Sequence, residues 1–317
     1  MGTSLELGMS GQNTPAAIPP VAPTHQDGAE AKSGVRCPSF PPHAVLQKPM
    51  GSYEDILYKA ANGIARITLN RPEKYNAFRG RTTEEMIHAF MTAGWDQSIG
   101  VIVLAGAGDT AFCTGGDQSA HEGQYDGRGT IGIPLEELHS VIRDVPKPVI
   151  ARVQGYAIGG GNVLALLCDL TLASDRAVFG QVGPKVGSVD PGWGTAFLTR
   201  VVGEKKAREM WYLCRRYSAH EALAMGLCNA VVPHDQLDAE IDRWCAEILA
   251  KSPTALAIAK RSFNADSEHI RGIGALGLQA VSLFYQTAES REGVEAFREK
   301  RTPVFRTPDG KRVPDAV

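Results

Sequence analysis

Two glycine-rich stretches decide the reading of this chain: residues 111–118, AFCTGGDQ, and residues 155–163, GYAIGGGNV. Each follows an apolar run of strand length, 101–105 and 149–153, so each is expected to turn from a strand into a helix. Glycine lets a backbone amide approach another group with no side chain in the way, and it tolerates positive φ. Two such amides converging on one oxygen stabilise the negative charge that develops on a reacting carbonyl. Either stretch alone is equally a tight turn; the pair, with Asn70-Arg71-Pro72 and Asn76-Ala77 upstream, says more.

Working outward, residues 56–69, ILYKAANGIARITL, are two apolar runs broken by Asn62-Gly63, which predicts a β-hairpin. A helix is expected over 81–93, then the strand IGVIVLAGA, the first glycine turn, a polar loop over 119–132 and a helix over 135–143. The strand PVIARVQG leads to the second turn and a buried helix over 162–168. Short strands at 170–173 and 178–180 precede helices at 195–202, 204–212 and 219–225. Strands alternating with helices imply an α/β layered architecture. Amphipathic spacing in 237–249 and 273–284 marks a helical C-terminal region, 235–317, whose apolar faces are expected to pack on neighbouring subunits. The core is assigned to 51–234. Residues 1–50, rich in Pro, Ala, Gly and Ser, form a separate extension expected to be disordered, without a secretory or mitochondrial leader pattern. A natural tail, an expression remnant and a true start at Met50 are three readings of it.

The bulk properties narrow the function. Of 317 residues, 43% are hydrophobic and 21% charged, as in an ordinary soluble enzyme. A net charge of −2 with interspersed signs leaves no basic stripe, so neither nucleic acid nor membrane is an expected partner. Six dispersed cysteines without a CxxC pair read as packing thiols of a reducing, cytoplasmic interior, and eight scattered histidines offer no metal site.

With the NRP and NA motifs, the two glycine turns resemble the crotonase (enoyl-CoA hydratase/isomerase) superfamily. The resemblance implies an α/β, crotonase-like ββα-spiral core with a helical C-terminal trimerisation region, and a homo-oligomer, a trimer or dimer of trimers. It implies an acyl-CoA substrate, no covalently bound cofactor, and oxyanion donors at Gly116 and Gly160 holding the thioester oxygen as it becomes an enolate. The hydratases place one carboxylate shortly after the GGG run and another just after the FGQ strand. This chain has Val163 and Gly183 there, so ordinary hydration lacks both its acid and its base.

The segments GGDQ, FGQVGPKVGSVD, KKAREMWYLC and LFYQT resemble the subgroup that contains 1,4-dihydroxy-2-naphthoyl-CoA synthase and 2-ketocyclohexanecarboxyl-CoA hydrolase, over about residues 53–306. One closes a ring between a thioester α-carbon and a carbonyl; the other opens one. The loop after GGDQ resembles the ring-opening hydrolase more closely, with Gln118, Tyr125 and Arg128 toward the acyl group. Arg79 is a further candidate there. On that likeness Asp190, supported by Ser188, handles the proton of the attacking water or of the cyclic ketone, and Tyr285, expected from an adjacent subunit, bonds the ketone oxygen or protonates the α-carbon. From the residues alone, Asp190 is equally a turn residue before Pro191-Gly192 and Tyr285 an amphipathic core aromatic. Gln181, Gly183 and Trp211 match positions that hold a bicarbonate in one class of the synthases, so an anion or a water is expected there. The resemblance gives CoA recognition to Lys74, Tyr75, Ala77, Phe78 and Thr114, with Lys300 and Arg301 as phosphate contacts. A non-catalytic or RNA-binding member of the superfamily is the remaining reading, and the absent basic stripe argues against it.

Overall fold

The computed structural model describes residues 52–117 and 133–312. It opens on the expected hairpin, β1 (Ile56–Ala61) and β2 (Ile64–Leu69), antiparallel in register from Ile56 opposite Leu69 to Ala61 opposite Ile64. Asn62 and Gly63 both take positive φ, 53° and 80°, the backbone twist a two-residue hairpin turn needs. Next come α1 (Gly80–Trp95), β3 (Val101–Gly106) and β4 (Ala111–Cys113), then α2 (Leu135–Asp144), β5 (Val149–Val153) and β6 (Tyr156–Ile158). The chain continues through α3 (Gly160–Leu167), β7 (Leu170–Ser174), β8 (Val178–Gly180) and the single turn α4 (Gly183–Val186). Then follow α5 (Leu198–Val202), α6 (Glu204–Leu213), β9 (Arg216–Ser218), α7 (Ala219–Ala224), β10 (Ala230–Val232), α8 (Leu237–Leu249), α9 (Pro253–Ala265), α10 (His269–Phe284) and α11 (Ala288–Arg298).

The strands sort into two sheets, one ordered β1-β2-β3-β5-β7-β10 and the other β4-β6-β8-β9. Each turn of the chain lays one strand in the first sheet and the next in the second: β3 then β4, β5 then β6, β7 then β8, with a helix before the following turn. The result is a ββα spiral, as expected. All six residues of β3 are buried, the mark of a parallel strand covered on both faces. Ile102 and Leu104 point into the main core with Phe90, Phe112 and Leu138. Val101 and Val103 point the other way, onto Leu237, Ile241 and Cys245 of α8. That stripe at i, i+4, i+8 corrects the expectation for 237–249: α8 covers its own chain's sheet. α10 likewise buries Ile270, Gly274, Leu278 and Val281 on its own chain, but leaves Ile273, Leu276 and Leu283 exposed.

Two further expectations change. The strands that feed the glycine turns are β4 and β6 of the second sheet, so the apolar runs at 101–105 and 149–153 lie one strand earlier. The expected helix at 195–202 begins as a π-helical turn, Trp193–Phe197, before becoming α5. The tail at 1–50 and the loop at 119–132 lie outside the described residues, and no described helix is long and apolar enough to cross a membrane.

Candidate active site

β4 and β6 run parallel and side by side, which brings the two glycine turns together. Gly115, at φ +89°, lies so close to the second turn that a Cβ there would stand 2.9 Å from the Gly160 nitrogen. Gly116 is bridged to Phe78, but the ladder uses its neighbours: the Phe78 amide donates to the Gly115 carbonyl at 2.9 Å and the Asp117 amide to the Phe78 carbonyl at 2.8 Å. The Gly116 N–H therefore points to the opposite side of that strand. Gly160 is the first residue of α3, where an amide has no acceptor within the helix. The buried helix adds the positive end of its dipole. Both glycines line one inner pocket of about 90 Å³, the arrangement expected of an oxyanion hole. The first turn opens no helix through Asp117; it is pinned as a strand edge instead.

Across the pocket stand Ser188, Asp190 and Tyr285. Ser188 Oγ and Tyr285 Oη share a hydrogen bond of 2.8 Å. Tyr285 reaches the pocket from the end of this chain's own α10, which corrects the expected origin in an adjacent subunit. Asp190 lies on the wall of this pocket and also caps a local turn. Its Oδ1 accepts from the Gly194 amide at 3.0 Å, and burial pushes its carboxyl up to about 7 despite that donor. Burial also raises the Tyr285 phenol; the bond to Ser188 opposes the rise and the nearby Asp190 charge adds to it. A carboxyl raised toward neutrality on the wall of a pocket that both glycine turns line can take a proton from water.

The positions expected to hold an anion are less open. Gln181 is 1% exposed and its Nε2 has no partner, so it fits such a group. Trp211 does not: its Nε1 donates to the Gly194 carbonyl at 2.5 Å. Gly183 is packed so tightly that a Cβ would collide with the Ser188 carbonyl oxygen and stand 2.9 Å from Trp211 Cζ3. The three together do not fit a bicarbonate, and no step is drawn through one.

A cleft of about 710 Å³ continues outward from the inner pocket, sharing Thr114, Gly116, Val182 and Val186 with it. Lys74, Tyr75 and Ala77 line it as expected, with Tyr75 half exposed at positive φ and its carbonyl accepting from Thr114 Oγ1 at 3.3 Å. Phe78 turns inward to the small pocket. Lys300 and Arg301 do not reach the cleft: Arg301 is clamped by both carboxylate oxygens of Glu292, at 2.5 and 2.8 Å, and by Glu299. Among the described residues, the basic ones lining the cleft besides Lys74 are Lys185, Arg216 and Arg298, which the sequence reading missed. The signal for Arg216 was the Arg215-Arg216 doublet ahead of a strand. Arg79 is also corrected, since it forms a two-pronged pair with Asp55 at 2.8 Å per bond. Gln118, Tyr125 and Arg128 lie outside the described residues.

Behind the oxyanion turn sits a pair with no role in the sequence reading. Arg71 donates to Asp117 Oδ2 at 2.8 Å and to the Ala77 carbonyl at 2.6 Å, tying the 71–77 loop to the strand that carries Gly116. The sequence profile of the enoyl-CoA hydratase/isomerase family matches residues 59–308. The chain belongs to that family. An enoyl-CoA hydratase from Mycobacterium avium subsp. paratuberculosis K-10 is 30% identical, with a TM-score of 0.73, covering 81% of this chain and 100% of that one. An enoyl-CoA hydratase/isomerase from Pseudoalteromonas atlantica T6c is 27% identical with a TM-score of 0.72, over 80% of this chain and 100% of that one. An enoyl-CoA hydratase/carnithine racemase from Magnetospirillum magneticum is 32% identical with a TM-score of 0.64, over 80% and 96% respectively. As a member of the enoyl-CoA hydratase/isomerase family, the chain is an acyl-CoA-processing enzyme. Val163, where the hydratase pattern has a carboxylate, is fully buried in the apolar core. At Gly183 there is no space for a side chain.

Proposed function

We propose that this enzyme opens the ring of 2-ketocyclohexane-1-carboxyl-CoA with water, breaking a carbon–carbon bond to give pimeloyl-CoA. The observation that carries the reading is the exchange of acid–base groups: the two hydratase positions hold Val163 and Gly183, while among the described residues the ionisable groups on the pocket wall are Asp190 and Tyr285. In the proposed reaction Asp190 takes a proton as water adds to the ring ketone, whose oxygen is bonded by Tyr285 with Ser188 supporting the phenol. The tetrahedral adduct then reforms a carbonyl as a carboxyl group and expels the α-carbon, leaving its electron pair as a thioester enolate. Gly116 and Gly160 hold the enolate oxygen; losing one such donor typically costs on the order of 3 kcal/mol of transition-state stabilisation. Protonation of the α-carbon completes the addition of one water. Lys74, Lys185, Arg216 and Arg298 are the proposed partners of the CoA phosphates, in place of Lys300 and Arg301.

The protein is also proposed to act as a trimer or a dimer of trimers in the cytoplasm. Exposed Ile258, Phe263, Leu276 and Leu283 on α9 and α10 support the oligomer. The test of activity is to incubate the enzyme separately with the cyclic β-ketoacyl-CoA and with o-succinylbenzoyl-CoA and identify products by mass. Gain of one water by the first, with the second unchanged, is the expected result. Ring closure of the second would make it the naphthoyl-CoA-forming synthase.

A further inference from the structure

Asp190 is bonded to a π-helical turn whose two aromatic rings pack against a buried cation. The turn, Trp193–Phe197, begins three residues after Asp190, and single π turns of this kind are rare and gather at functional sites. Gly194 within it uses both backbone groups: its N–H donates to Asp190 Oδ1 and its carbonyl accepts from Trp211. Arg143, from the last turn of α2, is 5% exposed. Its guanidinium carbon lies 4.8 Å from the centre of the Trp193 ring and 4.7 Å from that of Phe197, and these rings meet edge to face at 5.5 Å. Nη2 donates to Ser267 Oγ at 2.7 Å, and the Asn264 amide donates to the Arg143 carbonyl at 2.6 Å. Nε is buried without an acceptor among the described residues. Removing a guanidinium from water with an N–H unpaired is costly, and an apolar side chain of similar volume would fill the space more cheaply. The compensating contacts are Ser267, the nearby charge of Asp169, and the two rings, whose faces attract a cation and fit a planar one.

We infer that Arg143 is a positioning residue for carbon–carbon cleavage: by holding Trp193 and Phe197 it fixes the π turn whose Gly194 amide orients the Asp190 carboxylate. The catalytic half of this inference rests on the proposed ring-opening function; the structural half does not. Arg143→Met keeps the length of the stem and removes the cation, and Ser267→Ala loosens its anchor at lower risk to folding. Hydrogen exchange of the intact protein, read at the Gly194 amide by fragmentation, should lose about tenfold or more protection in Arg143→Met, and less in Ser267→Ala, with β3 and β5 unchanged. On the cyclic ketone thioester, kcat should fall about tenfold or more while KM stays within about twofold. Unchanged protection at Gly194, an even loss across all strands, or an unaltered kcat would each overturn the assignment. If Arg143→Met is recovered unfolded, Ser267→Ala is read by the same criteria. Should the wild type not open the ring, the functional reading fails, while the exchange result still decides whether Arg143 fixes the turn.

Discussion

Burial and catalysis pull Asp190 in opposite directions, and the conflict is measurable. Its carboxyl titrates at about 7 in the folded protein against an ordinary 3.8. Between those values the native state holds a proton that the unfolded chain releases, so stability falls as pH rises from about 4 through about 7. Asp190→Asn cannot ionise. At equal protomer concentration it should resist urea better than wild type at pH 8, by roughly 2–4 kcal/mol, and no better at pH 4. Activity should run the other way: the base must be ionised, so kcat/KM should rise through about pH 7, and Asp190→Asn should lower kcat about a hundredfold while still binding the CoA product. An Asn variant with unchanged kcat would return Asp190 to a purely structural role. Val163 and Gly183 make a second prediction. Crotonyl-CoA, followed by loss of its enoyl-thioester absorbance, should be hydrated at background rate, and hydration at a rate comparable with ring opening would refute the assigned chemistry.

Among the elements, the fit of α11 to α4 depends on two glycines, Gly293 on α11 and Gly187 at the end of α4. Gly187 has φ +72°, and a Cβ there would run into the Ser290 carbonyl, while Ser290 Oγ donates to the Gly187 carbonyl at 2.8 Å. Gly187→Ala should therefore cost roughly 2 kcal/mol or more, seen as a lower Tm and faster exchange in α11. Most elements were legible because their signals are local: Asn62-Gly63 fixes the hairpin turn, and the apolar run of β3 matches a strand buried on both faces. The two glycine turns were legible for the same reason. β4, β6 and β9 were not, being three residues each and defined by their partners in the second sheet. α9 also escaped, although Ser252 caps it and Pro253 begins it, because its residues are largely exposed and carry a weak apolar period. The CoA contacts failed at Arg301 since its carboxylate partner Glu292 is nine residues away, a pairing that only the turn after α11 creates.

For the molecule as a whole, the exposed apolar side chains of α9 and α10 mean that one chain does not cover its own C-terminal face. Phe263 is 79% exposed and Leu276 76%, apolar surface that the proposed oligomer would cover. Phe263→Asp together with Leu276→Asp should shift the sedimentation mass from an oligomer to a monomer, and a wild type that sediments as a monomer would dismiss the assembly. The same helices also shape the site, through Tyr285 on one side and the Ser267 anchor of Arg143 on the other. Gly116, Gly160, Asp190 and Tyr285 thus come from distant parts of one chain to line one small pocket. Ring opening in water enriched in oxygen-18 tests that account most directly, by mass analysis of the acyl-CoA product. The account predicts a dicarboxylic acyl-CoA, heavier than its substrate by one labelled water, with the label in the free carboxyl and the thioester intact. Release of free CoA from an unopened ring, or unlabelled starting thioester alone, would contradict it.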